Sequence, residues 1–413
     1  MLLPDVSLRL ESEIAAEIAA RGPIPFARFM ELCLYHPVLG YYTRGVGGGG
    51  GRDYVTSSGI HAAFGALLAR QAEEMWRRAG RPEPWHFVEF GPGEGYFASD
   101  FLREAARNGA FAAALRYLLV EPSRALQERQ RSRLKGRTSI PLSWVDEQGL
   151  DGRAPLVGCL FANEVLDAFP VHRVVGSADG PREIHVVVRD GGLHETLLPL
   201  SAPALERFLA ESALTLEPGQ EADINLAAPC WITWAVSLMK KGYLVVVDYG
   251  HEAQDLYAPQ RRRGTLLSYH HHRVNEEFLQ RPGDQDLTAH LDFTALRRAA
   301  EARGARCLGL TTQSRFLLAL GALDFLPVPA AGSPETGRAG ADAVRSVRER
   351  EALKELILPG RMGDTFRVFV LGVGDVPRDL AGLSRPWARS EETAATAPLS
   401  PPRGASSADE QEN

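Results

Sequence analysis

Cysteine is scarce in this chain: four in 413 residues, Cys33, Cys159, Cys230 and Cys307. None forms a CxxC pair, so the sequence offers neither a zinc knuckle nor a disulfide framework, and a reducing compartment fits. No metal is expected. A strong charge imbalance is also lacking, since the formal net charge is -6. Nothing global attracts a polyanion, and a nucleic-acid partner is not expected. No uncharged apolar run reaches the roughly 18 to 20 residues that span a bilayer, so no membrane partner is expected either. Acidic residues come early at the N-terminus, which does not read as a signal peptide. The sequence expectation is a cytoplasmic protein. Internal repeats are missing too. What is present is ordinary for a globular protein: 45% hydrophobic and 24% charged residues. The length suits one large domain with insertions, or two ordinary ones.

Leu10, Ile14 and Ile18 recur at helical spacing over residues 7–21, and Pro23 and Pro25 stop that helix. A short helix with Phe26, Phe29 and Met30 follows, then an aromatic turn around His36, Tyr41 and Tyr42. The glycine run 47–51 reads as a mobile surface loop. A long helix begins near Ile60 and ends at Gly80. From Trp85 the pattern changes to strands alternating with helices: HFVEF, LRYLLVE, residues 138–145, LVGCLFANE, KGYLVVVDYG, ARCLGLTTQ and TFRVFVLG. Such alternation argues for a parallel sheet covered on both faces, with the nearly all-apolar LVGCLFANE at its centre. The fold class expected is α/β, a doubly wound, Rossmann-like sheet with an N-terminal helical extension and an inserted α+β subdomain. The boundaries read as 1–84 for the extension, 85–170 for the cofactor half of the core, and 171–241 for the insert. The second half of the core is 242–375, with a lid loop over 250–290, and 376–413 is a disordered tail. Within the insert, REIHVVVRDGGLHETLL reads as a hairpin turning at Asp190, Gly191 and Gly192.

The strongest local signal is Glu89-Phe90-Gly91-Pro92-Gly93-Glu94-Gly95, set between a predicted strand and a predicted helix. Residues without Cβ let a ligand approach the backbone, and a helix N-terminus offers free N–H groups. A nicotinamide dinucleotide wants GxGxxG and a place for its pyrophosphate. Here the third glycine comes one residue early, and Glu94 lies inside the loop and disfavours a phosphate. S-adenosylmethionine has no phosphate and carries a positive sulfonium. Glu121, ending the next strand, can accept from ribose hydroxyls in either case. The loop favours the methyl donor and leaves the dinucleotide, or a tight turn without a ligand, open.

Several collinear stretches narrow the choice. IPFARFMELCLYHPVLGYYTRG, DYVTSSGIHAAFG, VEFGPGEG, LVEPSRALQERQ, ANEVLDAFPVHRV, VVVDYG, GDQDLTAHLDFTAL and MGDTFRVFVLG resemble the MidA-like family of S-adenosylmethionine-dependent methyltransferases over residues 22–372. That family includes a mitochondrial complex I assembly factor that methylates an arginine. The resemblance implies a seven-stranded methyltransferase sheet, S-adenosyl-L-methionine as cofactor and a protein substrate. It carries over Gly91, Gly93, Gly95 and Glu121 as cofactor residues, and Glu89 and Pro92 of the same stretch are candidates beside them. It also places Thr56 and Ser57 in a segment that closes over the cofactor. The family usually has Pro-Glu where this chain has Ser58-Gly59, so any role of that glutamate does not transfer.

Asn163, Glu164 and Asp167 stand at the carboxyl end of a central strand, where doubly wound sheets place ligands. Asn163 can bond the donor's amino or carboxylate group. A guanidinium stays protonated at physiological pH, and a carboxylate can grip its N–H groups in a fork and leave one nitrogen to attack. Glu164 is the first candidate for that task and Asp167 the second. A helix cap is the lesser reading of Glu164, while a turn role is a full rival for Asp167 and Asn163. By the resemblance, Thr288, His290 and Asp292 lie near the mouth of the site. Asp248, ending the fifth strand, orients a ligand or caps a loop. The run His270 to His272 reads as a solvated, lid-like loop. The function expected is methyl transfer to a protein side chain, arginine among the candidates. A non-catalytic assembly factor that keeps the fold, and a nicotinamide oxidoreductase, are the alternatives. The oligomeric state stays open, a homodimer included.

Overall fold

The computed structural model describes residues 6–45, 56–271, 273–326 and 338–384, the side chains of 338–343 excepted. The glycine run 47–51, His272 and the tail from residue 385 onward lie outside the described residues. The first strands are β1 (Ile24–Pro25), β2 (Trp85–Phe90), β3 (Leu115–Val120), β4 (Leu142–Val145) and β5 (Leu156–Asn163). β6 (His172–Val175), β7 (Arg182–Arg189), β8 (Gly192–Leu198), β9 (Glu221–Ile224) and β10 (Met239–His251) follow. After them come β11 (Leu267–His270), β12 (Arg273–Asn275), β13 (Asp286–Thr288), β14 (Leu291–Asp292), β15 (Arg306–Thr312) and β16 (Phe366–Val373).

The main sheet runs β15-β16-β10-β5-β2-β3-β4, with β14 paired to β10. β4, β3, β2, β5 and β10 are mutually parallel. β16 runs antiparallel to both of its neighbours, β10 and β15. The sheet is thus mostly parallel where a parallel one was expected, with β16 reversed, and β14 is an eighth strand beside the seven on the path. The run FRVFVLGV is apolar except for Arg367, and such a run fixes burial on both faces but not direction. β5 sits in the middle, and strand alternation feeds two cores. Phe87, Tyr117, Phe161, Tyr243 and Val245 face the helices Ala63–Arg78 and Tyr96–Ala105. Val88, Leu118, Leu160, Leu244 and Val246 face the helices Ala227–Ser237 and Phe293–Ala302. Helices on both faces make the sheet doubly wound.

A second, five-stranded sheet runs β1-β7-β6-β9 with β8 on β7. Its hairpin β7–β8 turns on Asp190 and Gly191, both at positive φ (50° and 80°), as a tight two-residue turn requires. β8 takes one edge of β7, so β6 and β1 lie end to end along the other. The N-terminal helices Val6–Arg21 and Phe26–Tyr35 pack on this sheet through Leu10, Ile14, Phe29 and Val186. Residues expected to be a lid loop instead build a third sheet, β12-β11-β13. Helix Ala227–Ser237 belongs to the main core, so the part of the chain that folds apart from the main sheet ends near β9.

Candidate active site

Gly91, Gly93 and Gly95 have φ of 59°, 52° and 79°, the left-handed region that other residues enter only with strain. A Cβ on Gly91 would press on Val165, and one on Gly95 would touch Gln130, whereas one on Gly93 meets nothing within 4 Å. Gly93 therefore presents bare backbone to open space. The turn is closed by Gly95 N–H donating to Pro92 O at 2.8 Å and leads straight into helix Tyr96–Ala105.

Behind the loop stands Gln130, fully buried. Its Nε2 donates to Gly93 O at 2.7 Å and to Glu121 Oε2 at 3.2 Å, and its Oε1 accepts from Trp144 Nε1 at 2.9 Å. Glu121 Oε1 accepts from Ser123 N–H at 2.8 Å. Each Glu121 oxygen thus keeps accepting capacity. Burial pushes this carboxyl up to about 7 against the pull of the Ser123 and Gln130 donors. Gln130 escaped the sequence reading. Its signal was a polar residue midway in the apolar spacing Leu126, Gln130, Leu134.

Two acids of the loop have partners within the protein. Glu94 is largely covered and pairs with Arg129, so its charge is met within the protein, and that part of the argument against a phosphate falls. Glu89 is buried on β2, where Oε2 accepts from Tyr117 OH at 2.7 Å, and burial raises its carboxyl to about 8.

At the end of β5, Glu164 adopts φ 53°, unusual for a non-glycine residue and a mark of strain held by its surroundings. Its Oε1 accepts from Ser57 N–H at 3.0 Å and from Asn163 Nδ2 at 2.9 Å. No bond is found for Oε2 among the described residues. Asn163 Oδ1 is buried with no partner. Burial pushes Glu164 up to about 7, the two donors pull it down, and the charge of Asp248 raises it again. Thr56 Oγ1 lies 3.0 Å from Ser58 Oγ, and Ser57 Oγ donates to Gln313 Oε1 at 3.1 Å. The short helix Ser57–Ile60 is thereby tied both to Glu164 and to the helix Gln313–Ala319.

Asp248 is fully buried on β10. Its Oδ2 accepts from the amides of Val165 (3.3 Å), Leu166 (3.0 Å) and Asp167 (3.3 Å), and Oδ1 accepts from Tyr249 N–H at 2.9 Å. Its oxygens are thus occupied by backbone, and it shapes the turn that carries Glu164. Burial raises it to about 7. Asp167 is buried beside it and raised well above the usual carboxylate range by burial first, then by the charges of Asp248, Asp286 and Glu164. Asp292 Oδ1 caps helix Phe293–Ala302, accepting from Thr294 and Ala295 N–H at 2.9 and 3.0 Å. The His290 ring stacks on Tyr249 with centroids 5.8 Å apart, and its Nδ1 is buried without a partner. Burial lowers His290 to about 4, leaving a neutral imidazole. Tyr41 belongs to the core around the N-terminal helices, and His36 Nε2 pairs with Glu13 at 3.0 Å. Among the described residues no group of His, Cys, Asp and Glu could hold a metal ion.

These features suit S-adenosylmethionine: bare backbone at Gly93, a carboxylate with spare acceptor sites at Glu121, and an unpartnered buried carbonyl on Asn163. The model of a family described as S-adenosyl-L-methionine-dependent methyltransferase matches residues 67–311, more than half of the 413-residue chain. The chain belongs to this family, the MidA-like methyltransferases. The methyltransferase is similar to "Protein arginine methyltransferase NDUFAF7, mitochondrial" of Danio rerio, 28% identical over 381 residues, 86% of this chain and 85% of that one. The protein of the same name from Xenopus tropicalis is 28% identical over 335 residues, 76% of this chain and 75% of that one. A solved structure from Burkholderia thailandensis, bound to S-adenosyl-homocysteine, is 30% identical, with a TM-score of 0.81 over 93% of this chain and 97% of that chain. The methyl donor is S-adenosyl-L-methionine, and the nicotinamide alternative is set aside. One expectation is overturned. A cytoplasmic location was read from composition and the N-terminus, but these relatives are named mitochondrial. Composition reports on foldability, whereas a compartment is assigned by receptors that read an address.

Proposed function

We propose that this methyltransferase modifies a protein, at an arginine side chain, with Glu164 as the carboxylate that grips the acceptor. The observation that carries this reading is Glu164 itself. It is a strained residue at the end of the central strand, anchored through Oε1, with Oε2 left to a ligand. The names of the relatives supply the acceptor class. In this reading Thr56, Ser57, Glu89, Gly91, Pro92, Gly93, Gly95, Glu121 and Asn163 form the cofactor side. Gly93 and Asn163 approach the donor directly, Glu121 takes the ribose hydroxyls, and Glu89 supports from behind. Asp167 is the second acid, and Asp248, His290 and Asp292 shape the acceptor side. The inserted strands β6 to β9 and the segment 250–290 wall that side, while 85–170 and the chain from helix Ala227–Ser237 through β10 and β16 form the core. Its seven-strand path β15 to β4 is the methyltransferase sheet proper.

S-adenosylmethionine supplies a methyl group activated by a positively charged sulfur. The protein's share is alignment, worth roughly 7 to 11 kcal/mol when the reacting atoms are held in line. The free Oε2 of the carboxylate, accepting from guanidinium N–H, concentrates positive charge away from the nitrogen that attacks. The new N–C bond forms as the S–C bond breaks, and one N–H proton leaves. A carboxyl raised to about 7 is suited to receive it near neutral pH. The test uses tritium-labelled donor, a cell extract and peptide mapping. Label on arginine supports the reading, and label only on another residue type refutes it. Glu164→Gln should bind S-adenosyl-homocysteine normally yet transfer methyl groups on the order of 10²-fold more slowly. Full transfer by this variant removes Glu164 from its role.

A further inference from the structure

A cavity of about 370 Å³ opens beside the acceptor side of the site, between the second sheet and the segment leading into β11. Arg173, Arg261, Arg263, Thr265, Phe278 and His290 line it. It is joined to the candidate centre through His290, whose backbone N–H donates to Thr265 Oγ1 at 3.0 Å and whose ring stacks on Tyr249, the neighbour of Asp248.

The charges in this wall are not equally satisfied. Arg173 carries two carboxylates, Glu195 on one nitrogen and Glu221 on another, and stands 5.0 Å from the rings of both Phe26 and Phe278. Arg263 pairs with Glu276 at 2.6 Å. Among the described residues no ion pair is found for Arg261, and its Nε is buried without a hydrogen-bond partner. His290 Nδ1 is the second orphan in the same wall. A buried guanidinium nitrogen and a buried imidazole nitrogen with no partners each carry an unmet hydrogen bond. The three glutamates in the lining disfavour a polyanion such as a nucleic acid.

We propose that this cavity is a specificity subsite of the same active centre, where Arg261 and His290 receive the carboxylate of an acidic residue flanking the methylated position of the acceptor protein. The proposal rests on the protein-arginine reading above and adds what that reading lacks, a rule for choosing among arginines. A planar guanidinium matches a carboxylate in geometry as well as charge.

The test uses fluorescein-labelled peptides, each with one arginine and with Glu or Gln at a neighbouring position. Binding is followed by anisotropy with S-adenosyl-homocysteine present, and methyl transfer is followed in parallel. The unaltered protein should bind the best Glu peptide roughly tenfold more tightly than its Gln partner. Arg261→Gln should erase that preference, while Arg263→Gln, which alters an arginine that already has a partner, should keep it. The affinity of each variant for S-adenosyl-homocysteine and its melting temperature verify the fold. Equal binding of Glu and Gln peptides, or a preference that survives Arg261→Gln, overturns the subsite even if the peptides are methylated. An oligonucleotide that competes as well as the acidic peptide overturns it also. A preference that depends on Arg261 in peptides that are never methylated supports the subsite and refutes the arginine reading instead.

Discussion

Gln130 serves three partners at once: the Gly93 carbonyl, the Glu121 carboxylate and the Trp144 indole. Replacing it with Leu strands a buried indole N–H and frees both the loop and the acid. Gln130→Leu should cost about 1 to 3 kcal/mol of stability and weaken S-adenosyl-homocysteine binding roughly tenfold. Denaturant unfolding and calorimetry check this, and unchanged affinity would mean that the loop needs no such brace. The glycines of this site were readable in the sequence because only glycine meets the backbone demand. Glu164 was readable as a residue, from its place at a strand end, but its φ of 53° was not. Asp292 looked like an acid near the mouth, and its oxygen is committed to a helix cap. Sequence shows which acids exist, while hydrogen bonds decide which of them have oxygens to spare.

The turn of residues 164–168 depends on one acid in another strand. Asp248 offers two acceptor oxygens to four amides. Asn in its place has one acceptor oxygen and would turn an amide N–H toward amide N–H groups. Asp248→Asn should therefore lower kcat far more than it weakens S-adenosyl-homocysteine binding, because Glu164 loses its support while Gly91–Gly95 keep theirs. Equal losses in both would show a general collapse. Strands were recognised well where apolar runs were bounded by turn residues. Their directions and neighbours were not, as β16 illustrates. The lid segment misled because β11, β12 and β13 are short and polar, with partners contributed by one another.

Several carboxyls sit in this fold with raised proton affinity: Glu89 near 8, and Glu121, Glu164 and Asp248 near 7. Burial is the first cause at each. In the unfolded chain such groups ionise near 4. Between those limits the folded state holds more protons, so stability is greatest below about pH 4.5 for these groups and falls as pH rises to about 8. Thermal melts from roughly pH 5.5 to pH 8.5 should show this decline. Glu89→Gln should reduce the slope and raise the melting temperature at the alkaline end alone. A slope unaffected by that change would mean that Glu89 titrates normally. On the catalytic side, kcat/KM should rise with pH through about 7 as Glu164 loses its proton.

The N-terminal segment has a further importance for the molecule. Ile24 and Pro25 cover the stretch of β7 beyond the end of β6, where Ile24 is matched with Val186 and Pro25 with His185. Removing residues 1–45 would uncover backbone donors and acceptors there, together with the apolar surface of Val186 and Ile184. A shortened protein of that kind would be open to strand exchange and self-association even with its donor-binding half intact, so clumping in solution would precede any loss of affinity for the methyl donor.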